Sequence, residues 1–229
     1  MRVLVSGANR GLGLEFVRQL LARGDAVIAA CRDPAAATAL ASLAATRSDQ
    51  LQVLALDQAD AASIAQFARS LVQRGERIDL LLNNAGMLPA GERFGAIDPA
   101  VLAATLATNA SGPFLLTQAL APLLADGAKV VNLSSGLGSI AGVQDMRTPS
   151  YAISKAALNM ATRQLAAALR ERGICVVAVS PGWVRTAMGG AEATLSAEQS
   201  VHDLLALIDR LGVSDSGQFL TRLGEAIAW

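Results

Sequence analysis

Short apolar runs of strand character alternate with longer runs of helical spacing along the whole chain, and this alternation limits the fold more than any single motif does. Strands are expected at Arg2–Ser6, Ala26–Ala30, Leu51–Leu56, Ile78–Leu82, Lys129–Leu133, Ile174–Val179 and Gly217–Leu220. Helices are expected between them: Leu14–Ala22, residues 34–47, Ala61–Arg74, Asp98–Leu124, Tyr151–Arg172 and Ser196–Leu211. Parallel strands need crossovers, and helices supply them. The pattern therefore predicts an α/β domain over residues 1–229, with one doubly wound parallel sheet of about seven strands and helices on both faces. Ligands bind such sheets at the carboxyl ends of the strands, and most of the unusual residues fall there or in the helix that follows.

Several function classes are excluded by composition. Nineteen Lys and Arg balance nineteen Asp and Glu, so no basic face for nucleic acid is implied. No uninterrupted apolar run approaches the length of a membrane span. The N-terminus enters a strand directly, which predicts no signal peptide. Cys31 and Cys175 lie in apolar strand runs and read as reduced core residues, so a cytoplasmic location is expected. His202 is the only histidine, which leaves no multi-histidine metal site, and no metal is expected.

The first strand runs into Ser6-Gly7-Ala8-Asn9-Arg10-Gly11-Leu12-Gly13 and then a helix. Glycines in this context let backbone N–H groups approach a pyrophosphate resting on the positive end of the helix. The spacing is Gly-x-x-x-Gly-x-Gly rather than Gly-x-Gly-x-x-Gly. The second strand ends at Cys31-Arg32-Asp33-Pro34, where an acid would bond a ribose 2′-hydroxyl and an arginine would accommodate a 2′-phosphate. Arg32, with Arg10 in the glycine loop, favours NADP(H) over NAD(H), while Asp33-Pro34 reads as a helix start. Asp57, with Gln58 after it, ends the third strand, where a carboxylate can accept an adenine amino group or serve a turn. Asn83-Asn84-Ala85-Gly86 ends the fourth and suits either a turn or backbone packed under a cofactor. Asn109, just before Gly112-Pro113, lies inside a helical run and predicts a kink or break.

Tyr151 and Lys155 stand four residues apart on one helix face. A nearby cation is expected to lower the phenol's pKa, so that Tyr151 could exchange a proton with a carbonyl or alcohol oxygen near neutral pH.

Gly7, Gly11 and Gly13, Asp57, Asn83-Asn84-Ala85-Gly86, Asn109, Ser135, Tyr151 and Lys155, and Pro181-Gly182 with Thr186, in this order and spacing, resemble the short-chain dehydrogenase/reductase family in its compact one-domain form. The segment from Trp183 to Gly190 is similar to the branch of C-factor and sniffer-like carbonyl reductases, with Ala187 where members often carry Asp. The resemblance implies a Rossmann-type sheet and reversible hydride transfer between NADPH and a ketone, aldehyde or alcohol. It implies Tyr151 as proton donor, Lys155 as its partner and a ribose ligand, Ser135 on the carbonyl oxygen, and Asn109 holding a relay water. Thr186 and the Val184 backbone would hold the carboxamide. Tyr151 stands sixteen positions after Ser135, a longer gap than usual in the family, so Ser139 competes for the serine role. Met146, Trp183 and Met188 are candidates for an apolar substrate wall or for core. Residues 187–196 lack periodicity. Relatives commonly form dimers or tetramers through the helices near 98–124 and 151–172. A regulatory nucleotide-binding protein with little turnover is the alternative reading.

Overall fold

The computed structural model describes residues 1–229. The strands are β1 (Arg2–Ser6), β2 (Ala26–Cys31), β3 (Leu51–Ala55), β4 (Ile78–Asn83), β5 (Leu124–Leu133), β6 (Cys175–Ser180) and β7 (Phe219–Thr221). They form one sheet in the order β3-β2-β1-β4-β5-β6-β7, with every pair parallel. The order reverses between β1 and β4, and the crevice that opens there is where an α/β sheet takes its ligand.

Alternation along each central strand builds two cores. Val3 and Val5 of β1, Leu80 and Leu82 of β4, and Val177 and Val179 of β6 face one side. There they meet α1 (Gly11–Ala22), α2 (Thr38–Thr46) and α7 (Ala197–Arg210). Leu4, Leu81 and Val176 face the other side, under α3 (Ala61–Gln73), α5 (Gly112–Leu120) and α6 (Pro149–Ala168). Strands buried on both faces have no polar face to show, which is why they read as continuous apolar runs. Phe16 on α1 is fully enclosed, and its truncation to alanine would cost about 3–5 kcal/mol. Cys31 and Cys175 are free, buried thiols in that first core.

The helix starts follow local capping chemistry. Asp60 accepts from the Ala62 and Ser63 N–H groups at 3.0 and 3.1 Å and starts α3. Asp98 caps α4 (Pro99–Leu106) through Ala100 N–H at 2.8 Å, with Pro99 at the first helical position. Ser196 caps α7 through Gln199 N–H at 3.1 Å. The expected start at Asp33-Pro34 is not one. Asp33 accepts from Ala36 N–H at 3.1 Å, which closes a turn, and α2 begins only at Thr38.

The long run from Asp98 is broken where Asn109 and Gly112-Pro113 predicted. Five π-helical residues, Ala107–Ser111, join α4 to α5. Pro113 has no N–H to close an α-turn onto the Asn109 carbonyl, and a wider turn absorbs the gap. Gly112 admits the Gln58 backbone, whose oxygen would lie 2.4 Å from a Cβ. Pro99–Leu123 is long and apolar enough to cross a bilayer by length and composition, but it packs along the sheet against α3 and α6. β5 starts earlier than expected, because Leu124 already pairs with Ile78 before the register shifts.

Candidate active site

The glycine loop is held from below. An ideal Cβ on Gly7, at φ +64°, would lie 2.7 Å from the Ala85 Cα. One on Gly13 would lie 2.2 Å from the Gly7 oxygen and 2.6 Å from Asn84 Nδ2. Asn84 explains this closeness. Its amide donates to the Ser6 and Gly7 carbonyls at 2.9 and 3.1 Å, and Ser6 Oγ accepts from the Asn84 and Ala85 N–H groups at 3.1 Å each. The sequence offers Asn83 and Asn84 together and does not say which of the two holds the loop. Of two adjacent amides, only strand register says which turns outward. The Asn83 side chain is enclosed, donating to Thr117 Oγ1 at 3.1 Å and Asn132 Oδ1 at 2.8 Å, so only its backbone borders the crevice.

The first turn of α1 carries no side-chain cap and no acidic residue. Its N–H groups and positive end are left for an anion, which fits the pyrophosphate of a dinucleotide. Asn9, Arg10 and Gly11 are exposed beside this turn, with Leu12 half-buried. Arg10 and Arg32 are both exposed, and neither is part of an ion pair. Asp57 fills its turn role, accepting from Ala59 N–H at 2.9 Å. Gln58 is buried and donates to the Thr108 carbonyl at 3.0 Å, so its side chain serves the π segment.

Tyr151 and Lys155 lie in the first turns of α6. Lys155 is buried, with Nζ 2.6 Å from the Leu133 carbonyl and 5.5 Å from the centre of the Tyr151 ring. Burial pulls its pKa from 10.5 down to about 8. The Tyr151 phenol moves the other way. Burial raises its pKa above the ordinary value, and hydrogen bonding to Ser135 offsets only part of that. The expected lowering by Lys155 is therefore not found. The ammonium donates to the Leu133 carbonyl, and desolvation of the phenolate dominates.

Ser135 also accepts from Leu137 N–H at 3.2 Å. Ser139 is occupied elsewhere, donating to the Ala228 carbonyl at 2.6 Å and accepting from Gly142 N–H at 3.1 Å. Of the two serines, Ser135 is the one beside Tyr151.

Asn109 sits buried on the π segment. Its Oδ1 accepts from Met87 N–H at 2.8 Å, and its Nδ2 donates to the Met87 carbonyl at 2.8 Å and to Ser154 Oγ at 2.9 Å. Ser154 in turn donates to the Tyr151 carbonyl at 2.7 Å. Asn109 Oδ1 and Lys155 Nζ border the same small space over Gly86, 3.4 and 3.8 Å from where a Cβ would stand.

The far wall is the loop after β6. Pro181 accepts from Ser200 Oγ at 2.8 Å, and Gly182 adopts φ +83° with no room for a Cβ beside Leu195. Val184 is buried and bridges to Leu195. Thr186 reaches across to Gly11, its Cγ2 3.6 Å from the position of a glycine Cβ. Residues 187–196, which showed no periodicity, are ordered by such contacts, including Trp183 Nε1 on the Gly189 carbonyl at 2.8 Å. Met146, Trp183 and Met188 are exposed rather than core.

The pattern of the short chain dehydrogenases matches residues 1–195. The chain belongs to this family. C-signal of Myxococcus xanthus is 42% identical over 154 residues, 66% of this chain and 93% of that protein. Among solved structures, the carbonyl reductase Sniffer of D. melanogaster superposes with a TM-score of 0.94 at 33% identity, covering 100% of this chain and 99% of that one. The NADPH-bound carbonyl reductase from chicken fatty liver superposes at 0.93 with 38% identity, covering 100% and 98%. Membership in this family makes the protein an NAD(P)-dependent oxidoreductase.

Proposed function

We propose that the protein reduces ketones or aldehydes with NADPH, with Tyr151 as the proton donor. The observation that carries this reading is the convergence of a buried cation, a phenol and a hydroxyl, Lys155, Tyr151 and Ser135, at the strand ends beside an uncapped α1. When bound, NADPH supplies the hydride. Ser135 would orient the carbonyl oxygen by hydrogen bonding, and Tyr151 would pass its proton to the developing alkoxide. A raised phenol pKa keeps that proton in place at neutral pH. Lys155 would hold positive charge beneath the site and bond the nicotinamide ribose. Donors already oriented before charge develops supply much of such a rate gain.

The glycine loop, with Gly7, Asn9, Arg10, Gly11, Leu12 and Gly13, would take the pyrophosphate. Arg32 with Arg10 would meet a 2′-phosphate, which gives NADP(H) precedence over NAD(H), and the NADPH-bound neighbour supports this. Asp57 and the Gln58 backbone would edge the adenine. Asn83, Ala85 and Gly86 would lie under the cofactor, and Pro181, Gly182, Val184 and Thr186 would hold the carboxamide side. Asn109 and Lys155 bordering one space over Gly86 supports a relay water there.

Conversion of NADPH across a panel of carbonyl compounds, with Tyr151→Phe as control, tests the reading. The variant should lose activity by about 10²–10⁴-fold while still binding NADPH. Equal turnover by both proteins would overturn it. The likeness to C-signal favours one alternative, a nucleotide-binding signalling protein with little turnover. Tight NADPH binding with no reduction of any carbonyl would select it.

A homodimer or homotetramer through the α4–α5 and α6 faces belongs to the same proposal. A shallow apolar hollow of about 360 Å³, lined by Ala110, Ser111, Phe114, Leu115 and Ala161, with exposed Met160 nearby in sequence, supports it. A sedimentation mass of one chain would remove it. Cytoplasmic residence completes the reading, supported by the two unpaired buried thiols.

A further inference from the structure

The helix that carries Tyr151 and Lys155 starts badly by its own means. Thr148, the residue before it, makes no capping bond. It is the only non-glycine residue with positive φ, at 41°, and its buried Oγ1 has no partner. Backbone held in this region persists only when the surroundings impose it. The surroundings here include a carboxylate bound to Ser150 from 58 residues earlier. Glu92, in the loop between β4 and α4, accepts from Ser150 N–H through Oε2 at 3.1 Å and from the Ser150 hydroxyl through Oε1. Ser150 is fully buried, and Tyr151 is the next residue.

We propose that Glu92 is a positioning residue for Tyr151, fixing the first turn of its helix against the loop over residues 87–97. The proposal rests on Tyr151 being the proton donor. Two features make the contact more than a surface pair. Both carboxylate oxygens are spent on one residue, which fixes rotation as well as distance. The negative charge also stands at the positive end of α6 and replaces the missing cap. The loop is held a second time where Asn109 clamps Met87. The loop is therefore tied at both places, to the start of α6 through Glu92 and to the π segment through Met87. Release of Glu92 frees the turn that aims Tyr151 while leaving the glycine loop untouched.

Five variants test this by steady-state reduction of the best carbonyl substrate, NADPH affinity and thermal unfolding: Glu92→Ala, Glu92→Gln, Ser150→Ala, the double variant of Glu92→Ala with Ser150→Ala, and Tyr151→Phe. Glu92→Ala should lower kcat by about tenfold or more, because small misplacements of reacting groups are costly, with NADPH affinity changed less than about twofold. Glu92→Gln keeps an acceptor oxygen and should recover kcat to within roughly threefold of the parent. Ser150→Ala should fall between, and adding it to Glu92→Ala should cost nothing further, since both remove one interaction. A lowered unfolding temperature with unchanged kcat in Glu92→Ala would mean a structural cap only and would overturn the proposal. So would a loss of NADPH affinity equal to the loss in kcat. Full activity in Tyr151→Phe would instead overturn the assignment of the proton donor. An inactive Tyr151→Phe beside a fully active Glu92→Ala would overturn the positioning role alone.

Discussion

The Lys155 ammonium lies 5.5 Å from the centre of the Tyr151 ring and spends a hydrogen bond on the Leu133 carbonyl at 2.6 Å. Two ionisable groups thus share one dry region, and their pKa values are moved in opposite directions by the same cause, loss of water.

Tyr151 is the only tyrosine in the chain, so ultraviolet titration of the cofactor-free protein reports it alone. Its folded-state pKa is raised, and the midpoint of phenolate absorbance should lie above the ordinary value of about 10. A midpoint below that value in the absence of cofactor would contradict the desolvation argument.

For Lys155 the shift has a stability consequence. The folded pKa of about 8 lies below the ordinary 10.5, so between these values the unfolded chain binds the extra proton. Stability should therefore rise with pH across that window and be lowest below it. The shift from 10.5 to about 8 corresponds to about 3 kcal/mol. Lys155→Met should be inactive yet more stable than the parent at pH 7, by that amount less about 1 kcal/mol for the unpaired Leu133 carbonyl. The advantage should shrink as pH is raised toward 10.5, and chemical denaturation at a series of pH values checks it.

A methyl group at residue 13 has nowhere to go, with the Gly7 oxygen 2.2 Å from its position. Gly13→Ala should push the helix off the loop, cost about 1–3 kcal/mol of stability and abolish NADPH binding. Unchanged NADPH affinity in a folded Gly13→Ala protein would remove the glycine loop from the cofactor site.

The two serines should separate cleanly. Ser135→Ala should lower kcat by about tenfold or more through loss of a hydrogen bond that strengthens as the oxygen gains charge. Ser139→Ala should leave kcat close to the parent and lower the unfolding temperature, because its hydroxyl ties residues 139–142 to the Ala228 carbonyl. The reverse pattern would exchange their roles.

Arg32→Asp places a carboxylate where a 2′-phosphate would sit. Affinity for NADPH should fall by about 10–100-fold, as expected for loss of a charge-assisted hydrogen bond, and NADH should gain. Parallel binding isotherms decide this.

The sheet was legible because each βα unit punctuates itself, with apolar strands ending in Gly, Asn or Asp and helices opening on Asp60, Asp98 and Ser196. The break at Asn109 was legible because Pro113 cannot donate. Its form was not, since a π-turn and a plain kink leave the same sequence trace. Asp33-Pro34 misled because the same dipeptide chemistry closes a turn as well as it starts a helix. The separate duties of Asn83 and Asn84 were not legible, and Glu92 was missed altogether, because contacts across 77 and 58 residues leave no local pattern. The direction of the Tyr151 shift was misread because spacing reveals the neighbouring charge but not the water that folding removes.

Asn83 and Asn132 are register partners on β4 and β5, joined through their side chains, and Asn132 passes the bond on to Thr162 of α6 at 2.8 Å. Greasy strand faces object to a slip of one residue, which turns every side chain over, but tolerate a slip of two. A two-residue slip here would set Asn83 opposite Val130 or Ser134 and break the amide chain. The paired amides act as a tooth in the alignment, allowing one setting where grease alone would allow several. Because they stand at the strand ends, that setting also fixes how far the segments that carry Gly86 and Ser135 begin beyond the sheet.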